Sequence, residues 1–188
     1  MTMHGMNEVQ NGMKVMIEGE PCVIVHVDFV KPAKGPPRTH VRHRNIRTGR
    51  VADLILWASN KLEAADVLDV ELEFLYTDGE LWHFMHPETH EQYFADKAAM
   101  AGAAPWLIGK ETCTVTLWNE SVLKVVAPNF VELVIAETDP GLRGDTSSGG
   151  TKAATLETGA VVRVPLFVAR GERIRIDTRT GAYVARVR

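Results

Sequence analysis

Seven cationic side chains, Lys31, Lys34, Arg38, Arg42, Arg44, Arg47 and Arg50, lie between Val30 and Arg50 with no Asp or Glu among them. Cations at this density neutralise phosphates or another polyanion; they do not break bonds themselves. Pro32, Pro36 and Pro37 fix φ and remove backbone donors, so residues 31–37 cannot lie inside a helix or a central strand. Gly35 supplies the one freely bending joint. The expected object is a stiff loop that carries Lys34 away from its barrel, with Arg-rich flanks behind it. An ordinary exposed loop with solvated charges is the competing reading.

Other residues invite an enzymatic reading and fail to assemble one. His83 lies near Asp78 and Glu80, but the strand LWHFM sets it between two aromatics, as a packed or half-exposed histidine. A hydrolase built on His83 is therefore a distant third alternative. His86 and His90 are four apart without the pattern of a zinc protease, and the seven histidines show no metal-ligand spacing. Ser147-Ser148-Gly149-Gly150 lacks the Lys-Ser/Thr of a phosphate loop. Cys22 and Cys113 sit in the apolar alternating segments CVIVHV and CTVTLW and read as reduced core residues. The sequence predicts no catalytic residues, no metal and no cofactor.

The elements that position these residues read as strands almost throughout. Lys14–Ile17 and Cys22–Phe29 flank a turn at EGEP, and Thr39–Ile46 turns at Thr48-Gly49 into Val51–Trp57. On Thr39–Ile46, His40, Arg42 and Arg44 alternate with Val41 and His43, so one face is cationic. Alternation lapses near Ser59–Ala65, where a boundary is placed. Asp66–Tyr76 and Leu81–Met85 form a hairpin on Asp78-Gly79, and Thr112–Trp118 and Val122–Val126 form another on Asn119-Glu120. Pro87–Gly102 is the only expected helix. Phe130–Ala136, Val161–Val168, Arg173–Asp177 and Tyr183–Val187 follow, with a long Gly-, Ser- and Thr-rich loop over 137–159. Thr180-Gly181 repeats the hairpin signal, so one falls in each third of the chain. The predicted class is all-β: three consecutive small barrels over 1–64, 65–128 and 129–188.

The net charge of −3 conceals a strong segregation. From Asp53 to Lys97 eleven acids face only Lys61 and Lys97, a net of −9. From Val161 to Arg188 seven arginines face Glu172 and Asp177, a net of +5. A chain that runs basic, acidic, basic suits an extended molecule meeting a polyanion at both ends. No apolar run is long enough to span a bilayer, and the start MTMHGMNEVQNGMKV has no basic region followed by an apolar run. A cytoplasmic protein is expected. Small barrels with basic, Gly-rich loops commonly bind nucleic acid, so an RNA-binding protein is the first functional reading.

The order of several blocks now makes a family resemblance specific. Asp28-Phe29-Val30-Lys31-Pro32-Ala33-Lys34-Gly35 resembles the EFVKPGKG loop of bacterial elongation factor P. Tyr76 to Met85 (YTDGELWHFM), Pro128 to Leu133 (PNFVEL) and Thr138 to Thr146 (TDPGLRGDT) continue the likeness. Ala154 to Ala160 (ATLETGA) and Val164 to Val168 (VPLFV) extend it over essentially the whole chain.

The resemblance implies a KOW-like N-terminal barrel followed by two OB-type barrels in an L-shaped, tRNA-like arrangement. It implies a non-enzymatic factor that acts as a monomer on the rRNA and proteins of the ribosome. Members bind between the peptidyl- and exit-tRNA sites and restart ribosomes stalled at consecutive prolines. Lys34 becomes the functional tip, a candidate for modification such as β-lysylation by a lysine-modifying enzyme, with Lys31, Pro32, Ala33 and Gly35 supporting it. Arg38, Arg42 and Arg44 become contacts to peptidyl-tRNA or rRNA, and Gly144, Asp145 and Thr146 a contact near the small subunit and exit codon. Ala33 stands where the family usually has glycine, and a left-handed conformation there would cost about 1–2 kcal/mol. Pro36-Pro37-Arg38 and Leu54-Ile55-Leu56-Trp57 also depart from the usual pattern. A paralogous factor with another stall specificity and a free-standing OB-type RNA binder are the alternatives.

Overall fold

The structure, a computed structural model, describes residues 2–140 and 150–187. Sixteen strands and one 3-10 turn are seen among them, and no α-helix. The first sheet contains β1 (Met3–Gly5), β2 (Lys14–Ile17), β3 (Glu20–Val30), β4 (Arg38–Asn45), β5 (Val51–Trp57) and β6 (Lys61–Ala64). Its order is β1-β6-β2-β3-β4-β5. Alternation places Val15, Ile24, Val41 and Leu56 inward, where they join Met6, Val9 and Leu62 in one core. β6, in the stretch where alternation lapses, pairs with both β1 and β2.

The second sheet contains β7 (Val67–Thr77), β8 (Trp82–Met85), β9 (Gln92–Ala95), β10 (Thr112–Trp118) and β11 (Ser121–Val126). Its order is β11-β10-β7-β8-β9. The helix expected over Pro87–Gly102 is not formed. Gln92–Ala95 instead pairs antiparallel with β8, and backbone ladder bonds outweigh the weak helical pattern of so short a stretch. The Ala-rich segment after it is a set of turns. Asp96 Oδ1 accepts the Ala99 N–H at 2.8 Å, and Met100 and Ala103 are fully buried.

The third sheet contains β12 (Phe130–Thr138), β13 (Thr151–Leu156), β14 (Val161–Pro165), β15 (Arg173–Asp177) and β16 (Ala182–Arg186), ordered β14-β13-β12-β15-β16. It curls until its end strands β14 and β16 meet. β13 corrects the loop expected over 137–159. Ala154 and Leu156 alternate inward within TKAATL, and the strand pairs with β12 on one side and β14 on the other. The core holds Leu133, Ile135, Leu156, Val164, Ile174 and Ile176. Trp106, on the 3-10 turn Ala104–Trp106, packs on this core beside Gly181.

The architecture is all-β with curled, barrel-like sheets, as the alternation predicts. The Thr-Gly or Asp-Gly hairpin expected in each third of the chain occurs: Thr48-Gly49 joins β4 to β5, Asp78-Gly79 joins β7 to β8, and Thr180-Gly181 joins β15 to β16. By packing density the chain divides into two units, Met1–Val70 with Val115–Lys124 and Glu71–Thr114 with Val125–Arg188. Among the described residues no helix is long and apolar enough to cross a membrane.

Candidate functional site: the Lys34 hairpin

β3 and β4 form the long hairpin of the first sheet, paired from Cys22↔Asn45 to Val30↔Arg38. Residues 31–37 close it. Lys34 stands exposed at the tip, with Lys31, Ala33, Gly35 and Pro36 also exposed. Lys34 makes no hydrogen bond or ion pair with any described residue, so its ammonium is held out from the sheet without a partner of its own chain. Gly35 takes φ +111°, a conformation that L side chains rarely adopt, and a Cβ there would touch Pro32 Cγ at 3.8 Å. Ala33 is not among the residues with positive φ. The loop thus puts its left-handed residue at Gly35, and Ala33 carries no left-handed strain.

The base of the loop is braced on three sides. Thr39 is buried, and its Oγ1–H donates to the Met6 carbonyl at 3.1 Å, tying β4 to the N-terminal segment. Arg38 donates its Nε–H to His40 Nε2 at 3.1 Å. The Arg38 guanidinium also lies 6.0 Å from the centroid of the Trp57 ring, across the β4–β5 register. Arg42 donates from Nε and Nη2 to the two Asp53 oxygens at 2.8 and 3.3 Å. That bond holds the Asp53 carboxyl below the usual carboxylate range and raises Arg42 further. Arg44 is exposed, and its guanidinium makes no hydrogen bond or ion pair among the described residues.

The three predicted arginines therefore differ in electrostatic availability. Arg44 offers a full charge, Arg38 is oriented by an imidazole acceptor and an indole ring, and Arg42 is offset by Asp53. His40 was read only as part of the cationic face, and the roles of Trp57, Thr39 and Asp53 were not seen in the sequence, although one signal could have found two of them. Counting outward from the Thr48-Gly49 turn pairs Arg42 with Asp53 and Arg38 with Trp57.

The remaining candidates are dispersed. His83 Nε2 lies 2.9 Å from Asp78 Oδ2, and Asp78 Oδ1 accepts the N–H groups of Glu80 and Leu81. The Leu81 N–H first, then His83 and the Glu80 N–H, hold the Asp78 carboxyl far below its ordinary range. An aspartate committed to so many donors orients the imidazole as part of a turn. His86 Nδ1 lies 3.2 Å from the N–H groups of both Glu88 and Thr89, closing a turn. Cys22 and Cys113 are buried and unbridged. Among the described residues no group of three or more His, Cys, Asp or Glu side chains is placed to hold a metal. Gly144, Asp145 and Thr146 lie outside the described residues, as does Ser147-Ser148-Gly149.

Three family models match the chain in order. The Elongation factor P (EF-P) KOW-like domain matches residues 5–62, the Elongation factor P (EF-P) OB domain matches 67–125, and Elongation factor P, C-terminal, matches 131–186. Curated relatives match end to end. Elongation factor P of Xylella fastidiosa strain M23 is 57% identical over 188 residues, covering 100% of both chains. That of Xanthomonas campestris pv. campestris strain B100 is 58% identical over 184 residues, covering 98% of each. That of Stenotrophomonas maltophilia strain K279a is 56% identical over 188 residues and covers 100% of each. Among solved structures, eukaryotic translation initiation factor 5A from Methanococcus jannaschii shares the fold with a TM-score of 0.52 at 20% identity. The alignment covers 67% of this chain and 97% of that one. With full-length identity to these relatives and all three family models in register, the chain belongs to the elongation factor P family of translation elongation factors.

Proposed function

We propose that the protein binds the ribosome beside the peptidyl-tRNA and promotes peptide-bond formation at consecutive prolines, with Lys34 as the residue that reaches the tRNA acceptor end. The observation that carries this reading is the unpartnered Lys34 at the tip of a braced hairpin whose loop contains no acid. Proline is a geometrically restricted nucleophile and peptidyl donor, so a poorly held acceptor end reacts slowly. A cation on a flexible stem, delivered by a stiff loop, neutralises nearby phosphates and steadies that end. Positioning of reactants is worth up to roughly 7–11 kcal/mol in favourable cases, so a small share of it suffices. Bond formation stays with the ribosome, and the protein supplies no nucleophile, base or cofactor.

In this reading Arg38 and Arg44 contact tRNA or rRNA phosphates, and Arg42 does so less strongly because Asp53 opposes it. Gly144, Asp145 and Thr146 act in the last of three functional blocks, 1–64, 65–128 and 129–188, toward the small subunit. Modification of Lys34 by a dedicated enzyme would lengthen its reach and add donors. The test is reconstituted translation of a reporter with consecutive prolines, using wild-type protein and Lys34→Ala. Rescue by the wild type alone is expected. Rescue by both removes Lys34 from the mechanism, and failure of both, even with protein purified from its native cell, rejects the reading.

A further inference from the structure

Tyr76, His83 and Phe94 form a continuous aromatic row across β7, β8 and β9, on the face opposite the buried Leu72, Phe74 and Phe84. Tyr76 and His83 stack with ring centroids 4.4 Å apart at 14°, and Phe94 meets His83 edge-on at 5.1 Å and 85°. Apolar burial does not explain the row, because Tyr76 is 55% exposed and Phe94 51% exposed. A β-bulge between Phe74 and Tyr76 turns Tyr76 outward to meet His83. The Asp78 bond to Nε2 then locks the imidazole in the middle of the row. The result is a fixed row of aromatic rings, two stacked and the third perpendicular to them, ending at the sheet-edge strand β9.

The charge around this surface selects its partner. Residues 62–96 contain no Lys or Arg at all. Glu73 lies on the outer face two cross-strand pairs along β7 from Tyr76, and Glu80 is exposed in the turn beside Asp78. Neither glutamate's carboxylate makes a hydrogen bond or ion pair among the described residues. Unpaired carboxylates repel a phosphate backbone, so stacked bases of RNA are the wrong occupant. A planar guanidinium satisfies both features: it stacks on aromatic faces and pairs with carboxylates.

We infer that the Tyr76–His83–Phe94 face is a docking site for an arginine-rich segment of a protein partner. Arginine guanidinium groups stack on Tyr76 and Phe94, and Glu73 and Glu80 neutralise them from the rim. This site shares no residue with the Lys34 loop and does not depend on its role.

The test uses the full chain and three labelled probes: an oligoarginine peptide, an oligolysine peptide of equal length, and single-stranded oligouridylate. Fluorescence anisotropy is expected to give about 3–10-fold tighter binding of the arginine peptide than of the lysine peptide. Tyr76→Leu combined with Phe94→Leu keeps apolar bulk at two half-exposed positions and should abolish that preference with little change in Tm. Amide resonances of β7, β8 and β9 should shift on adding the arginine peptide and stay fixed in the double variant. Equal affinity for both peptides, or an arginine preference that survives the double variant, overturns the proposal. Oligouridylate binding that is weakened by the same two substitutions assigns the face to RNA and overturns it as well.

Discussion

His40 accepts the Nε–H of Arg38 on its own Nε2, 3.1 Å away and two residues along the same strand face. That bond makes Nε2 the acceptor nitrogen of the ring, and the guanidinium also lies against Trp57. Arg38 is the first residue after the Lys34 loop, so its orientation sets where the loop leaves the sheet. Trp57→Ala removes a cation–π contact of about 0.5–1 kcal/mol at an exposed site. The expected outcome is a shift of roughly 2–5-fold to higher factor concentration in proline-reporter translation, with the maximal rescue unchanged. A variant with wild-type concentration dependence would show that Arg38 needs no brace.

The tip offers a second test, because its left-handed residue is Gly35 and not Ala33. Gly35→Ala forces a Cβ onto a φ of +111° and should cost about 1–2 kcal/mol locally, seen as reduced rescue with little loss of global stability. Ala33→Gly restores the residue usual in the family but adds freedom to the unfolded chain. It should lower stability by about 0.4–1 kcal/mol without raising activity. Paired thermal melts and reporter assays on both variants check these opposite signatures.

The distribution of legible and illegible features follows from what alternation encodes. β4 and β5 were readable because Thr39, Val41 and Leu56 must face a core while Arg42 and Arg44 face water. A period of two over that length admits one register. β9 was not readable, since four residues of QYFA beside an Ala-rich run carry too little pattern to oppose helix propensity. β13 was hidden because small residues supply its inward face at Ala154, inside a Gly-, Ser- and Thr-rich stretch. The bulges at Ile24/His26 and Phe74/Tyr76 left no mark in the sequence, and the second decides which aromatics reach the surface. At the candidate site the charges were legible and their partners were not. Whether Arg42 is offset depends on its opposite residue, which only the hairpin register supplies.

Asp69 makes the acid stability of its unit testable. Burial pushes its carboxyl up, but bonds from Lys14 Nζ and Thr116 Oγ1, each at 2.7 Å, prevail and hold it below the ordinary value. A depressed folded value means that the stabilisation is present above the unfolded pKa of about 3.9 and is lost as pH falls below it. The pair is partly exposed, so Asp69→Asn should cost only about 0.5–1.5 kcal/mol near neutrality. Urea unfolding of wild type and variant should differ near neutral pH and converge under strongly acidic conditions. A constant difference would assign the cost to packing.

Cys113 gives the opposite sign at the alkaline end. Burial first, and then the negative charge of Glu111, push its thiol up to about 12. The thiolate that reacts with disulfide reagents is therefore scarce in the folded protein, and Cys22 is shifted in the same direction, mainly by burial. At about pH 8, near the ordinary thiol range, both cysteines should resist a disulfide reagent until denaturant is added, whereupon both should react together. A raised folded value favours the protonated form, so the contribution to stability is full below the unfolded pKa of about 8.5 and fades as pH rises toward the folded value. Cys113→Ala removes this titration along with some core packing. Its melting temperature should start lower than that of the wild type and fall less steeply as pH rises above the ordinary thiol range. Parallel curves for the two proteins would mean that Cys113 does not titrate with unfolding.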